Sequence, residues 1–180
     1  MVEENGMKYW HFAAMVDGKP VMRDGTPIEI GKRYILPEAS MCRFGFHGSP
    51  TPLMALDYAP GAWVSRRGIL VTDKQEDKVV GVECVHTVGA DASDVLRKFG
   101  RMCALDVIDL WDAPPIVIKY LKTGNESIRA AAWDAAWDAA RAAARDAAGD
   151  AARAAAWDAA RAAQNKRLTR ILNKLLGGAT

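Results

Sequence analysis

Residues 133–164 consist of eight four-residue repeats, WDAA-WDAA-RAAA-RDAA-GDAA-RAAA-WDAA-RAAQ, and this stretch restricts the fold more than any other. Alanine has the highest intrinsic helix propensity of the amino acids, so the repeats predict helix from end to end. A period of four exceeds the 3.6 residues of a helical turn, and each repeat therefore shifts the alanine pair by about 40° around the helix. We expect a long alanine-rich helix that packs closely, because small side chains let two helix backbones approach each other.

The repeats lie within a longer tail that we assign to residues 125–180. After the last repeat, apolar residues recur at helical spacing and predict an amphipathic end that docks on a core; they are Leu168, Ile171, Leu172, Leu175 and Leu176. Gly149 followed by Asp150 is the only residue pair that could end one helix and begin another. We expect one continuous helix, with a hairpin that reverses at Gly149 as the alternative.

Three tryptophans are the only large apolar residues of the repeats, and large aromatic side chains commonly dominate the energy of protein interfaces. Trp133 and Trp137 lie one turn apart, so we expect them to share a contact surface near the N-terminal domain. Trp157 lies about 240° of helical rotation beyond Trp133 on a straight helix, and we expect it to face a partner. The residues that we predict to make the interaction are Trp133, Trp137, Trp157, Arg141, Arg145 and Arg153.

The chain before the tail divides into two regions. Residues 1–90 hold most of the glycine and proline, and their short apolar runs predict strands, of which the last two form a hairpin. The predicted strands cover residues 8–14, 62–72 and 78–86. Residues 91–124 predict short helices, interrupted at Pro114-Pro115. The whole sequence predicts an α+β fold with a small β-rich N-terminal domain, a short helical layer and a long alanine-rich C-terminal helix.

Charge and hydropathy argue against several kinds of partner. The formal net charge is +2, and aspartates interleave with most of the tail arginines, so a solvated helix face is the better account of these arginines and nucleic-acid binding is kept as an alternative function. No stretch approaches the roughly 20 apolar residues of a membrane span, and the first ten residues lack the order of a signal peptide. We therefore expect a cytoplasmic protein without a membrane partner. Three cysteines in a reducing compartment are expected to be buried thiols.

Four side chains are of the types that bind zinc: Cys42, His47, Cys84 and His86. The two pairs are separated by five and by two residues, which matches no common zinc framework. No phosphate-binding loop of the Walker type is present. We therefore expect no metal and no other cofactor.

The segment Phe46–Pro50, which contains His47, is similar to segments of ADP-ribosyltransferase-like folds. That resemblance implies a nucleotide-binding or transferase function centred on His47, which would also need an acidic residue such as Glu83 and an arginine such as Arg43 or Arg66. Nothing in the spacing selects these partners. A turn that locks the edge of a sheet is the simpler interpretation of the segment, and we do not expect an enzyme.

Several motifs together resemble a family of uncharacterised phage and prophage proteins with a small β-rich domain and a tail of Ala/Trp/Asp/Arg repeats. The motifs are CRFGFHGS at Cys42–Ser49, ALDYAPG at Ala55–Gly61, CALDVIDLWDAP at Cys103–Pro114, and the repeats closing on AQNKRL at Ala163–Leu168. The resemblance implies a phage accessory protein in the host bacterial cytoplasm and supplies no catalytic residues. We expect it to act by self-association or by binding a host protein through the alanine-rich helix, and to inhibit a host defence system.

Overall fold

A computed structural model describes residues 8–143 and 151–177, with side chains at residues 8–139 and 159–177. This part of the chain forms an antiparallel sheet and five α-helices, which confirms the α+β class. The strands are β1 (Lys8–Val16), β2 (Lys19–Val21), β3 (Arg33–Ile35), β4 (Phe46–Gly48), β5 (Trp63–Lys74) and β6 (Val79–Asp91). The helices are α1 (Pro52–Leu56), α2 (Ser93–Leu105), α3 (Pro115–Thr123), α4 (Arg129–Ala143) and α5 (Ala151–Leu175).

The sheet is built around the hairpin of β5 and β6, and its strand order is β2-β1-β5-β6-β3. β4 also pairs with β6, and every pair is antiparallel. The three strands predicted from apolar runs are thus confirmed as β1, β5 and β6, each extending a few residues further than expected. Thr51 caps α1, since its side chain accepts a hydrogen bond from the Met54 backbone N–H.

The sheet curls back toward its first strand after β4. Ser49 exchanges two backbone hydrogen bonds with Trp10 on β1, at N···O distances of 2.9 and 3.0 Å. Gly48 permits this close approach, because a Cβ at that position would lie 2.6 Å from the Cβ of Tyr9. One face of β1, β5 and β6 is therefore enclosed, and we call it the inner face.

Two apolar clusters fill the inner face. The first contains Tyr9, Phe46, Ile69, Val79 and Cys84, and the second contains Ala13, Ile28 and Trp63. The half-buried side chain of Met22, which follows β2, packs against both clusters. The segment after β2 therefore covers the space between them.

The opposite face of the sheet is also buried, through Trp10, Phe12 and Val64. Helix α1 packs on β1 at this level, and its Leu53 N–H donates to the side-chain oxygen of Asn165 on α5 at 3.3 Å. The amphipathic end of the tail was predicted to dock on a core, and this is confirmed: the most buried side chains of that end are Leu168, Leu172 and Leu176.

The helices after β6 begin and end where the sequence indicates. The Asp91 side chain accepts hydrogen bonds from Ser93 at the start of α2. Helix α3 follows the two prolines and ends at Gly124, whose φ of 65° is the left-handed conformation typical of a helix end. Helices α4 and α5 both lie in the predicted tail, and whether they form one helix or a hairpin concerns residues 144–150, which lie outside the described part.

The chain forms two compact units. The first comprises Met1–Ser93 with Asn165–Thr180, and the second comprises Asp94–Gln164. The sequence was divided at residues 90 and 124 into three consecutive regions. In the structure, the leucine-rich end of the tail belongs to the same compact unit as the sheet. Among the described residues, none of the helices combines the length and the apolar character that a membrane crossing requires.

Leu172 offers a test of the docking of α5, because its side chain is fully buried. We expect Leu172→Ala to lower the free energy of unfolding by about 2–5 kcal/mol, since the truncation removes apolar contacts and leaves a cavity. Lys174→Ala, at an exposed position of the same helix, should change it by less than about 0.5 kcal/mol. Urea denaturation followed by circular dichroism measures both, and equal small losses would contradict the docking.

Candidate functional site

Helix α4 presents its small side chains to the protein and its large ones to solvent. Ala132 is only 3% exposed, and the alanines at one-turn spacing from it, Ala135, Ala136 and Ala139, are half-buried. This stripe lies on a helix that packs against α3. The least exposed side chains of α4 are thus alanines, of which Ala132 immediately precedes the repeats and the others belong to them.

Trp133 and Trp137 lie outside the alanine stripe, with exposures of 70% and 54%. We expected these two side chains to share a contact surface near the N-terminal domain, and that expectation stays a prediction. Within α4, the stripe of Ala132, Ala135 and Ala136 is the less exposed side, and the two indoles lie one turn apart outside it. Two large apolar side chains at solvent form the first candidate site, which we call the α4 tryptophan pair.

The other predicted interaction residues lie where the structure describes no side chains. Arg141 falls within α4, and Arg153 and Trp157 fall within α5, so their helical backbone agrees with the prediction. Arg145 lies outside the described residues altogether. The candidate surface therefore rests on the α4 tryptophan pair alone.

A second candidate site lies on the inner face of the sheet, between the two apolar clusters. Arg67 and His86 are direct cross-strand partners on β5 and β6. On the neighbouring row, His11 of β1 lies opposite Ser65 of β5. The His11 and His86 ring centroids are 5.8 Å apart, and Ser65 Oγ lies 2.9 Å from His86 Nδ1. We call these four side chains the inner polar cluster.

The arginine and histidine of this cluster are almost completely removed from solvent, Arg67 at 3% and His86 at 0% exposure. Within the described part of the chain, neither Arg67 Nε nor His86 Nε2 has a hydrogen-bond partner. Glu83 is the nearest acidic neighbour in sequence to His86, but it pairs with Arg33 at 2.6 Å. Burial of unpaired donors is costly, which makes this cluster exceptional within the core.

Burial shifts the acid–base properties of the cluster. It lowers the pKa of His86 to about 3, and the positive charge of Arg67 adds to the effect. It also lowers the pKa of the Arg67 guanidinium to about 10, which leaves that group charged at neutral pH. The pKa of the neighbouring Cys84 thiol is raised to about 11 by burial, so the sulfur beside Arg67 is neutral. The cluster thus carries one positive charge near pH 7.

Sequence reasoning did not find this cluster, because it assigned no role to Ser65 or Arg67. Neighbouring residues of a strand point to opposite faces, so in a strand buried on both sides one of the two must enter the core. Arg66 takes the other face, where its guanidinium stacks over the Trp10 ring at 4.4 Å and donates to the Lys8 carbonyl at 2.5 Å. The alternation of Ser65 and Arg67 in an apolar strand was the available signal.

His47, the centre of the transferase alternative, is held within its own turn. Its Nδ1 lies 3.1 Å from the Gly45 carbonyl, and its Nε2 accepts from the Cys42 backbone N–H at 3.3 Å. Glu83 is engaged by Arg33, and Arg66 is engaged by Trp10. These contacts match the simpler interpretation of the segment, a turn at the edge of the sheet.

The cysteines do not share one environment. Cys84 is buried as expected, whereas Cys42 is exposed and Cys103 is partly exposed, so the expectation of three buried thiols is wrong for two of them. Cys42 lies in the turn before β4 with a positive φ of 63°, which holds it at the surface. Within the described ranges, His, Cys, Asp and Glu side chains form no group of three or more that could hold a metal ion.

Comparisons with protein-family models, with curated proteins and with solved structures return no match to this chain. The resemblance to phage proteins therefore stays an expectation from sequence motifs. The two candidate sites are therefore the features of the molecule that bear on its function.

The alanine stripe of α4 is testable with two adjacent residues. Ala132→Leu should lower the free energy of unfolding by roughly 1–3 kcal/mol, because Ala132 is buried and a larger side chain has no room there. Ala131→Leu is the matched control, since Ala131 is exposed on the same helix and leucine is nearly as good a helix former. Thermal unfolding compares the two variants, and equal stability would show that the stripe is not a packing surface.

The inner polar cluster predicts a loss of stability in mild acid. Unfolded histidine takes up a proton near pH 6.5, whereas folded His86 stays neutral down to about pH 3. Its contribution is therefore complete above pH 6.5 and is lost as the pH falls, by about 1.4 kcal/mol per pH unit. Between pH 6.5 and 5, the free energy of unfolding of His86→Gln should therefore fall less steeply with decreasing pH than that of the wild type, and the two slopes should differ by about 1.4 kcal/mol per pH unit.

Urea denaturation at pH 7, 6 and 5 measures this slope. His47→Gln serves as the control, because His47 is only half-buried and the pKa of its ring is lowered less by its surroundings. The assignment fails if His86→Gln and the wild type lose stability at the same rate over this range.

Proposed function

We propose that this protein acts by protein–protein contact through its alanine-rich helical segment, with the α4 tryptophan pair as the anchor. The observation that carries the proposal is the outward orientation of Trp133 and Trp137 on a helix whose inward side is already filled by alanine. More than half of each indole is exposed. Large aromatic side chains exposed to this extent are typical of surfaces that bind another chain.

The two indoles would supply part of the free energy that a contact with another chain needs. A tryptophan side chain can bury roughly 150–250 Å², and apolar burial contributes about 25 cal/mol per Å². The two exposed indoles therefore represent several kcal/mol before the costs of association are subtracted.

A second copy of the same chain is the partner that the charges favour. Along α4, the aspartates Asp134 and Asp138 precede the arginine Arg141 in the sequence. When two identical helices pair antiparallel about a point near Trp137, Asp134 of one copy and Arg141 of the other come to the same level. A two-fold interface of this kind is self-complementary in charge and brings the two anchors together.

The biological setting is a further part of the proposal. A phage accessory role, and inhibition of a host defence system, rest on the resemblance of the sequence motifs to phage proteins. The α4 tryptophan pair supports contact with another chain in that role, without indicating which host protein would be met. Self-association is therefore the part of the proposal to test first.

Sedimentation equilibrium of the full chain over a wide concentration range tests the proposal. The wild type should form dimers, and Trp133→Ala with Trp137→Ala should weaken association by at least about 30-fold, as expected when anchors of about 2 kcal/mol are removed. Leu110→Ala is the matched control, because Leu110 is an apolar side chain that is 82% exposed outside α4. The control should associate like the wild type.

Circular dichroism should show that the double variant retains its helix content and melting temperature, since both indoles lie largely outside the core. A wild type that remains monomeric, or a double variant that dimerises normally, would reject self-association through this surface. A lower melting temperature with unchanged association would assign the tryptophans to the fold instead.

A further inference from the structure

A buried positive charge without a counter-charge is the starting observation. Arg67 is 3% exposed, and the described residues form four ion pairs, none of which includes it. The atom beside its guanidinium is the neutral sulfur of Cys84. A buried charge without a counter-charge destabilises the folded state, which makes Arg67 a candidate for a binding role.

His86 supplies a second donor on the same face. Ser65 Oγ lies 2.9 Å from His86 Nδ1 and 3.5 Å from the His11 carbonyl, so the shorter hydrogen bond runs from the hydroxyl to the ring. When the hydroxyl donates to Nδ1, the single proton of the neutral ring resides on Nε2, and the site proposed below requires this tautomer. His86 Nε2 and Arg67 Nε both lack a hydrogen-bond partner among the described residues.

The two donors belong to directly opposed residues. Arg67 and His86 are cross-strand partners, whose side chains emerge on one face about 5 Å apart at their bases. A β-bulge creates this pairing: Arg66 lies opposite Val88, whereas Arg67 lies opposite His86, so Thr87 is the extra residue. Without the bulge, Arg67 and His86 would not be opposed.

From this geometry we infer that the inner face of the curled sheet holds a binding site for an oxyanion, with Arg67 and His86 as its two donors. Carboxylate and phosphoryl oxygens match the donors, because both accept several N–H hydrogen bonds and both offset the arginine charge. Met22 spans the two apolar clusters on either side of the polar cluster. An entering ligand would displace the flexible Met22 side chain from its position against the two clusters.

Thermal unfolding of the full chain tests the inference with three probes at one ionic strength: sodium phosphate, sodium acetate and sodium chloride. The wild type should gain about 5 °C or more in phosphate or in acetate at roughly 100 times the dissociation constant, relative to chloride. A response to phosphate identifies a phosphoryl ligand, and a response to acetate identifies a carboxylate. Equal melting temperatures in all three salts would overturn the inference.

Adjacent arginines provide the matched variants. Arg67→Met should abolish the anion response, whereas Arg66→Met should retain it, because Arg66 lies on the opposite face against Trp10. In chloride alone, Arg67→Met should melt no lower than the wild type, since methionine removes the unpaired charge and retains much of the volume. A large loss in chloride, or an anion response without Arg67, would overturn the inference by showing that the arginine is structural.

A measurement on the wild type covers the case in which Arg67→Met fails to fold. The imidazole nitrogen resonances of His86 should shift saturably when phosphate or acetate replaces chloride, with the same midpoint as the thermal response. His47 serves as the internal control, because both of its ring nitrogens are engaged within the turn before β4. Unchanged His86 resonances would overturn the inference.

Discussion

Backbone pairing between β5 and β6 runs along almost the whole of both strands, from Trp63 opposite Asp91 to Lys74 opposite Val79. β1 attaches to β5, and β3 and β4 attach to β6, so the register of this one pair determines the position of most of the sheet. Because successive side chains of a strand alternate between faces, a slip of one residue would bring Arg66 instead of Arg67 into the interior. Both the core and the inner polar cluster therefore depend on this register.

The two candidate sites have different effects on the stability and the solubility of the protein. The inner polar cluster takes a charged guanidinium and a neutral imidazole into a core that apolar residues could fill, which lowers stability. The α4 tryptophan pair leaves large apolar surface in water, which lowers solubility but leaves the packing of α4 intact. Departures of this kind from the usual distribution of polar and apolar residues tend to mark function, and here they lie on separate compact units.

Local patterns were sufficient to predict the α+β class, the three long strands and the docking of the leucine-rich end of the tail on a core. They were not sufficient for either candidate site. The pairing of Arg67 with His86 depends on a bulge at Thr87, and no residue type specifies a bulge there. The exposure of Trp133 depends on which side of α4 packs against other elements. That side holds alanines, and the repeat pattern alone does not specify it.

The alanine stripe of α4 also bears on how the tail could change in length during evolution. Inserting or deleting one whole repeat rotates the following residues by only about 40°, which is less than the roughly 100° width of a buried helix face. Within α4, alanines would still lie near the less exposed side, and tryptophans would still lie near the exposed side. Replication slippage in such repetitive coding sequence could thus lengthen or shorten the helix by single repeats while its inward face stays small and its outward face stays chemically similar.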